Sequence, residues 1–96
     1  MIQIRIMKYR SRYEIIASIL ESAKTGITKT KIMYNAYLSY AQMMSYLKYL
    51  QEHALLMFEE DLQIYRTTKK GFEFLKLSHE LSQVTHFHDS STEIEK

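Results

Sequence analysis

Lys29, Lys31 and Lys48 fall in one stretch, TKTKIMYNAYLSYAQMMSYLKYL, from Thr28 to Leu50, together with Tyr40, Ala41, Met44 and Ser45. An ammonium group beside a phosphate displaces a condensed counterion, so such lysines would give salt-dependent binding to a polyanionic backbone. The smaller side chains suit the edges of bases. Ala41 and Met44 can touch a thymine methyl, Ser45 can exchange one hydrogen bond, and Lys48 can reach guanine or phosphate. Neither Arg nor Asn is among these edge readers, so discrimination between sequences is expected to be modest. Arg5, Lys8, Arg10 and Arg12 are further candidate phosphate contacts upstream. Taken singly, any of these cations could be an ordinary solvated charge; Lys29, Lys31 and Lys48 are favoured because they share one unit.

Tyr34, Tyr37, Tyr40, Tyr46 and Tyr49 crowd the same stretch. Aromatic rings beside lysines can stack unpaired bases, which makes single-stranded nucleic acid a competing ligand. Packing is the plainer account of most of them. Tyr46 and Tyr34 are expected as core rings with hydroxyls reaching the surface, and Tyr40 is the ring least explained by packing. His86, His88 and Asp89 form a fragment of a metal site, too few donors for a cage, so no metal ligands and no cofactor are assigned. No glycine-rich phosphate loop, G-x-S-x-G elbow or H-E-x-x-H pair occurs, and the acidic cluster Glu59, Glu60, Asp61 reads as a turn. An enzyme is not expected.

These side chains need elements to hold them. Ser39 with Gln42, and Ser11 with Glu14, are capping boxes, in which cap and third-position side chains each satisfy a backbone N–H at a helix start. The first predicts a helix from Tyr40 to about His53, with Met43, Tyr46, Leu47 and Leu50 inward and Ala41, Met44, Ser45, Lys48 and Glu52 outward. The second predicts a helix from about Arg12 to Lys24, ended by Gly26. Between them a short helix, about Lys29 to Asn35, buries Ile32 and Met33, with Leu38 as a plug. Two short helices with a freshly capped second start outline a helix-turn-helix. Beyond it, Leu55 to Phe58 and Gln63 to Thr67 flank the acidic turn as a β-hairpin. Thr68 caps a final helix from about 69, with Gly71 tolerated in its first turn. Phe74, Leu77, Leu81 and Val84 step by three, four and three, a heptad seam for a second copy. Alternating Ile2, Ile4 and Ile6 suggest a short N-terminal strand, and residues 85–96 read as a flexible polar tail. The domain is therefore expected to occupy 1–84.

Charge is divided along the chain. Residues 1–48 hold eight Lys or Arg against Glu14 and Glu21, giving +6, whereas the remainder holds five bases and nine acids, giving −4. Such asymmetry is expected where one end faces a polyanion. Ninety-six residues suit one domain with a single core. The absence of cysteine excludes disulfides and thiolate metal sites. No apolar run approaches the ~20 residues of a membrane span, and the charged start does not resemble a signal peptide. A soluble, cytoplasmic, nucleoid-associated protein is expected.

Over Arg10 to Leu77 the words RSRYEIIASIL, TKTKIMYNAYLSYAQ, YLKYL and YRTTKKGFEFL resemble the small archaeal winged helix-turn-helix transcriptional regulators. The resemblance implies a mainly α fold with a β-hairpin wing and an extended C-terminal dimerisation helix. It also implies a homodimer that binds double-stranded DNA as a regulator or architectural protein, with helix 40–52 in the major groove. An acidic wing tip beside phosphate would be repelled, so it is not expected to enter a minor groove. Exposed Met44 and that acidic wing motivate an alternative, a module that docks a protein of the transcription machinery.

Overall fold

The computed structural model describes residues 11–95, with side chains up to Leu81 and at Gln83. Three short helices come first: α1 (Arg12–Ser22), α2 (Lys29–Ala36) and α3 (Tyr40–Glu52). The hairpin β1 (Leu56–Glu59) and β2 (Ile64–Thr67) follows, and then α4 (Lys69–Glu95). Both capping boxes form: the Ser11 hydroxyl accepts from the Glu14 N–H at 3.1 Å and the Ser39 hydroxyl from the Gln42 N–H at 3.1 Å. The Glu14 and Gln42 side chains return the bond to the cap N–H groups, each at 3.0 Å. Thr28 caps α2 by accepting from the Lys31 N–H at 3.3 Å. Helix α1 stops at Ser22 with Ala23 as its cap, slightly short of the expected Lys24.

The turn between α2 and α3 closes without glycine. Tyr37 takes a left-handed backbone, φ 55° and ψ 49°, and the Leu38 N–H reaches back to the Met33 carbonyl at 3.1 Å. That six-to-one bond is a Schellman closure, in which glycine is the usual left-handed residue. A tyrosine there costs on the order of 1 kcal/mol.

Leu56 pairs with Thr67 and Glu59 with Ile64 in the antiparallel hairpin. A third segment joins its edge, because Ile27 and Tyr65 exchange backbone hydrogen bonds at 3.0 and 2.8 Å. Nothing in the residue pattern around Ile27 marks it as a strand; the pairing follows from where Gly26, at φ 96°, turns the chain. The Thr67 hydroxyl donates to the buried Leu20 carbonyl at 2.6 Å, and the Thr67 N–H donates to the Ala23 carbonyl. These bonds fasten β2 to the end of α1.

Ile19, Leu20, Ile32, Met43, Leu47 and Leu50 are fully buried, and Leu56 and Tyr65 close the core from the wing. Thr68 begins α4: its hydroxyl accepts from the Gly71 N–H at 3.0 Å and donates to the Ala54 carbonyl at 2.7 Å. A Cβ on Gly71 would collide with the Leu55 carbonyl oxygen, so the helix passes the Leu55 backbone only because residue 71 has no side chain.

Three expectations change. Tyr34 is not a core ring; it is 73% exposed, because Ile32 and Ala36 take the inward face of α2 and leave Tyr34 beside Thr30 and Lys31. Phe74, placed in the seam, packs against its own chain's core, while Leu77 and Leu81 are 61% and 68% exposed. Helix α4 is assigned through Glu95, past the end expected at Val84. The side chain of Val84 lies outside the described residues, as do the strand expected over Ile2 to Ile6 and the cations Arg5, Lys8 and Arg10.

Candidate nucleic-acid interface

Helix α3 separates its two faces as its sequence requires. Met43, Leu47 and Leu50 are buried and Tyr46 is half-buried, while Tyr40, Ala41, Met44, Ser45 and Lys48 are exposed. The outward set repeats at i, i+3 and i+4, so Ala41, Met44, Ser45 and Lys48 form one continuous stripe. Leu38 packs against the core between the helices and sets their relative position.

Helix α2 delivers Lys29 to the start of α3. The Lys29 ammonium stands 5.6 Å from the centre of the Tyr40 ring, a cation–π distance across the turn. Lys31 sits one turn from Tyr34 on the exposed side of α2. Arg12, the first residue of α1, reaches the flank of α3. Together with Ile16, Gln42, Ser45, Tyr46 and Tyr49 it lines a half-open cleft of about 210 Å³. Eight of the nine expected contacts, all but Arg10, are thereby described; Arg12 of α1 meets Ser45 of α3 at the cleft, and Lys29 of α2 meets Tyr40 of α3.

Among the described residues, Arg12, Lys29, Lys31 and Lys48 make no ion pair; the pairs formed are Lys24 with Glu21 and Arg66 with Glu59, each at 2.9 Å. The four cations therefore keep their charge for a partner. An exposed ion pair is worth little in any case, whereas each phosphate neutralised releases a counterion.

The wing differs. Glu59 is held by Arg66, whose Nε and Nη2 donate to one carboxylate oxygen at 3.3 and 2.9 Å. Glu60 and Asp61 remain exposed at the tip, next to a 63% exposed Leu62. Sequence reasoning did not find the Glu59–Arg66 bridge. Its signal is the register: with Glu59 opposite Ile64, Arg66 is the diagonal neighbour on the same face. It also missed Gln42 and Tyr49 as walls of the Arg12 cleft, since a shared cavity depends on how α1 crosses α3.

No group of three or more His, Asp or Glu able to hold a metal ion occurs among the described residues. No helix among them is long and apolar enough to cross a membrane.

Comparisons with known proteins agree with this architecture. The winged helix-turn-helix family model matches residues 9–86. Sso10a-2, a DNA-binding protein from Sulfolobus solfataricus, superposes with a TM-score of 0.78 at 23% identity, covering 88% of this chain and 90% of that one. The transcriptional repressor CouR, solved bound to p-coumaroyl-CoA, superposes with a TM-score of 0.70 at 20% identity, covering 93% of this chain but 64% of that one. No curated protein sequence matches the chain.

Proposed function

The chain belongs to the winged helix-turn-helix family, and from that premise we propose that it is a duplex-DNA-binding regulator or architectural protein of the cytoplasm or nucleoid. Helix α3 enters the major groove through Ala41, Met44, Ser45 and Lys48, with Tyr40 at its leading end. Lys29 and Lys31 of α2 and Arg12 of α1 hold flanking phosphates. The observation that carries the reading is the outward stripe of α3, with Lys48 on it and Lys29 at its start, cations that no carboxylate among the described residues neutralises. The shared fold of a DNA-binding protein and of a transcriptional repressor supports it.

The chemistry of the stripe sets the character of binding. Methyl contacts and one hydroxyl distinguish bases weakly, whereas phosphate contacts act on any sequence. Affinity should therefore be strongly salt-dependent. Each of Lys31→Ala and Lys48→Ala should lower duplex affinity and reduce the slope of log K against log salt by about 0.9. Titration of a labelled duplex across a salt series tests this; slopes identical to wild type in both variants would refute it.

Helix α4 supplies the second part of the proposal, a homodimer. Leu77 and Leu81 are exposed at seam spacing on a helix roughly 40 Å long at 1.5 Å per residue. A twin helix would bury both, whereas Phe74 already packs against its own chain's core. Leu77→Asp with Leu81→Asp should give monomers in sedimentation, and a dimer that persists would place the interface elsewhere.

Exposed Met44, together with Leu62 and the acids of the wing, favours a second reading, a module that docks a protein of the transcription machinery. A folded protein that leaves duplex unbound at high micromolar concentration would select it.

A further inference from the structure

The tyrosines of the α2–α3 turn are used neither by the core nor by the outward stripe of α3. Tyr34 is 73% exposed, Tyr37 is 81% exposed and Tyr40 is 57% exposed. They are successive aromatic side chains at steps of three residues, running from the last turn of α2 through the turn to the first residue of α3. Two have a lysine at hand. Lys29 lies over the Tyr40 ring at 5.6 Å, and Lys31 is the i−3 neighbour of Tyr34 on the same exposed side. Helix α2 carries no acid, and α3 carries only Glu52 at its far end.

Large rings as exposed as these bury little of their apolar surface, which is unfavourable. The left-handed backbone of Tyr37, where glycine would sit without strain, adds to that cost. Rings of this kind interleaved with lysines match what an unpaired nucleic-acid strand presents. Bases offer flat faces to stack on tyrosine, and phosphates between them meet the ammonium groups. A duplex keeps its base faces stacked inside and offers such rings no face to stack on.

We infer that the Tyr34–Tyr37–Tyr40 edge, with Lys29 and Lys31, is a binding site for unpaired nucleotides. It goes beyond the duplex reading and shares only Tyr40 and the two lysines with it. Single strand and duplex then compete for the turn, while Lys48 and the rest of the stripe serve the duplex.

The test uses the full chain with labelled dT and rU 20-mers and a labelled duplex of equal length, titrated at one salt concentration. The probes are compared on wild type, on Tyr34→Ala with Tyr37→Gly, and on Tyr34→Phe with Tyr37→Phe. Wild type should bind dT, rU or both, the two strands reporting whether the sugar matters. The Ala/Gly variant should lose about tenfold or more in strand affinity, as expected for two lost stacking faces, with duplex affinity within about threefold of wild type. The Phe variant should keep strand binding. Thermal melting checks the fold, and all four substitutions sit on exposed side chains. The inference is overturned if wild type binds neither strand, if the Ala/Gly variant keeps its strand affinity, or if strand and duplex affinities fall together. Strand binding without duplex binding would instead uphold this site and remove the duplex reading.

Discussion

The helix-turn-helix and the wing share one hydrophobic core but carry opposite chemistry on their outer surfaces. Helices α2 and α3 present Lys29, Lys31 and Lys48 with a single acid, Glu52, whereas the hairpin from Leu56 to Thr67 presents Glu59, Glu60 and Asp61 with a single base, Arg66. The lysines are unpaired among the described residues, while the wing's one base is committed to Glu59. On the proposed reading, the attraction for a polyanion therefore resides in the helices. The wing completes the fold: Tyr65 and Leu56 close the core, and Thr67 fastens β2 to α1.

Reversing the helical charge should break that contrast most severely. Lys29→Glu with Lys48→Glu replaces two attractions by two repulsions and should weaken duplex binding by roughly a hundredfold or more at low salt. Anisotropy titration reads it, and a loss below tenfold would show that the cations face away from the ligand.

Gly71→Ala should come next, because it disturbs the seat of the hairpin while leaving every lysine in place. The new methyl meets the Leu55 carbonyl and the Thr67 side chain. The helix start must shift, at a cost of about 1–3 kcal/mol, read as a lower midpoint in urea. An unchanged midpoint would mean that α4 does not depend on this close approach.

A smaller effect is expected from Glu60→Lys with Asp61→Lys. If the tip stays off the phosphates, duplex affinity should change by less than about threefold at physiological salt, where charges beyond roughly 8 Å are screened. A rise of tenfold or more would put the wing on the DNA and erase the contrast.

The smallest effect should come from Glu59→Gln. It removes the charge of a pair whose side chains are about one-third exposed, so its contribution to stability is under about 1 kcal/mol. Thermal melting should move by only a few degrees, and a larger drop would mean that the bridge holds the hairpin together.

The helical part of the molecule was legible from residue types because its signals are local. Ser11 with Glu14 and Ser39 with Gln42 satisfy N–H groups three residues away, so their effect does not depend on the rest of the chain. The faces of α3 follow equally from spacing, and Met43, Leu47 and Leu50 are buried as that spacing requires. Tyr34 departs from its expected burial for a related reason. An eight-residue helix such as α2 exposes most of its circumference, and a large ring can fall on either side of so narrow a buried stripe.

What local pattern could not supply is anything that depends on two segments far apart in the chain. The Ile27 edge of the sheet, the Thr67 bond to the Leu20 carbonyl, the passage of Gly71 over Leu55 and the approach of Arg12 to Ser45 each need the helices already packed. The sequence alone determined where helices begin, which side of α3 faces inward and which half of the chain is basic, since those depend on neighbours within a turn and on composition. Only tertiary packing decided that Arg12 meets Ser45 and Lys29 meets Tyr40, and which tyrosines are exposed, because burial is a property of the crossing of elements and not of any one of them.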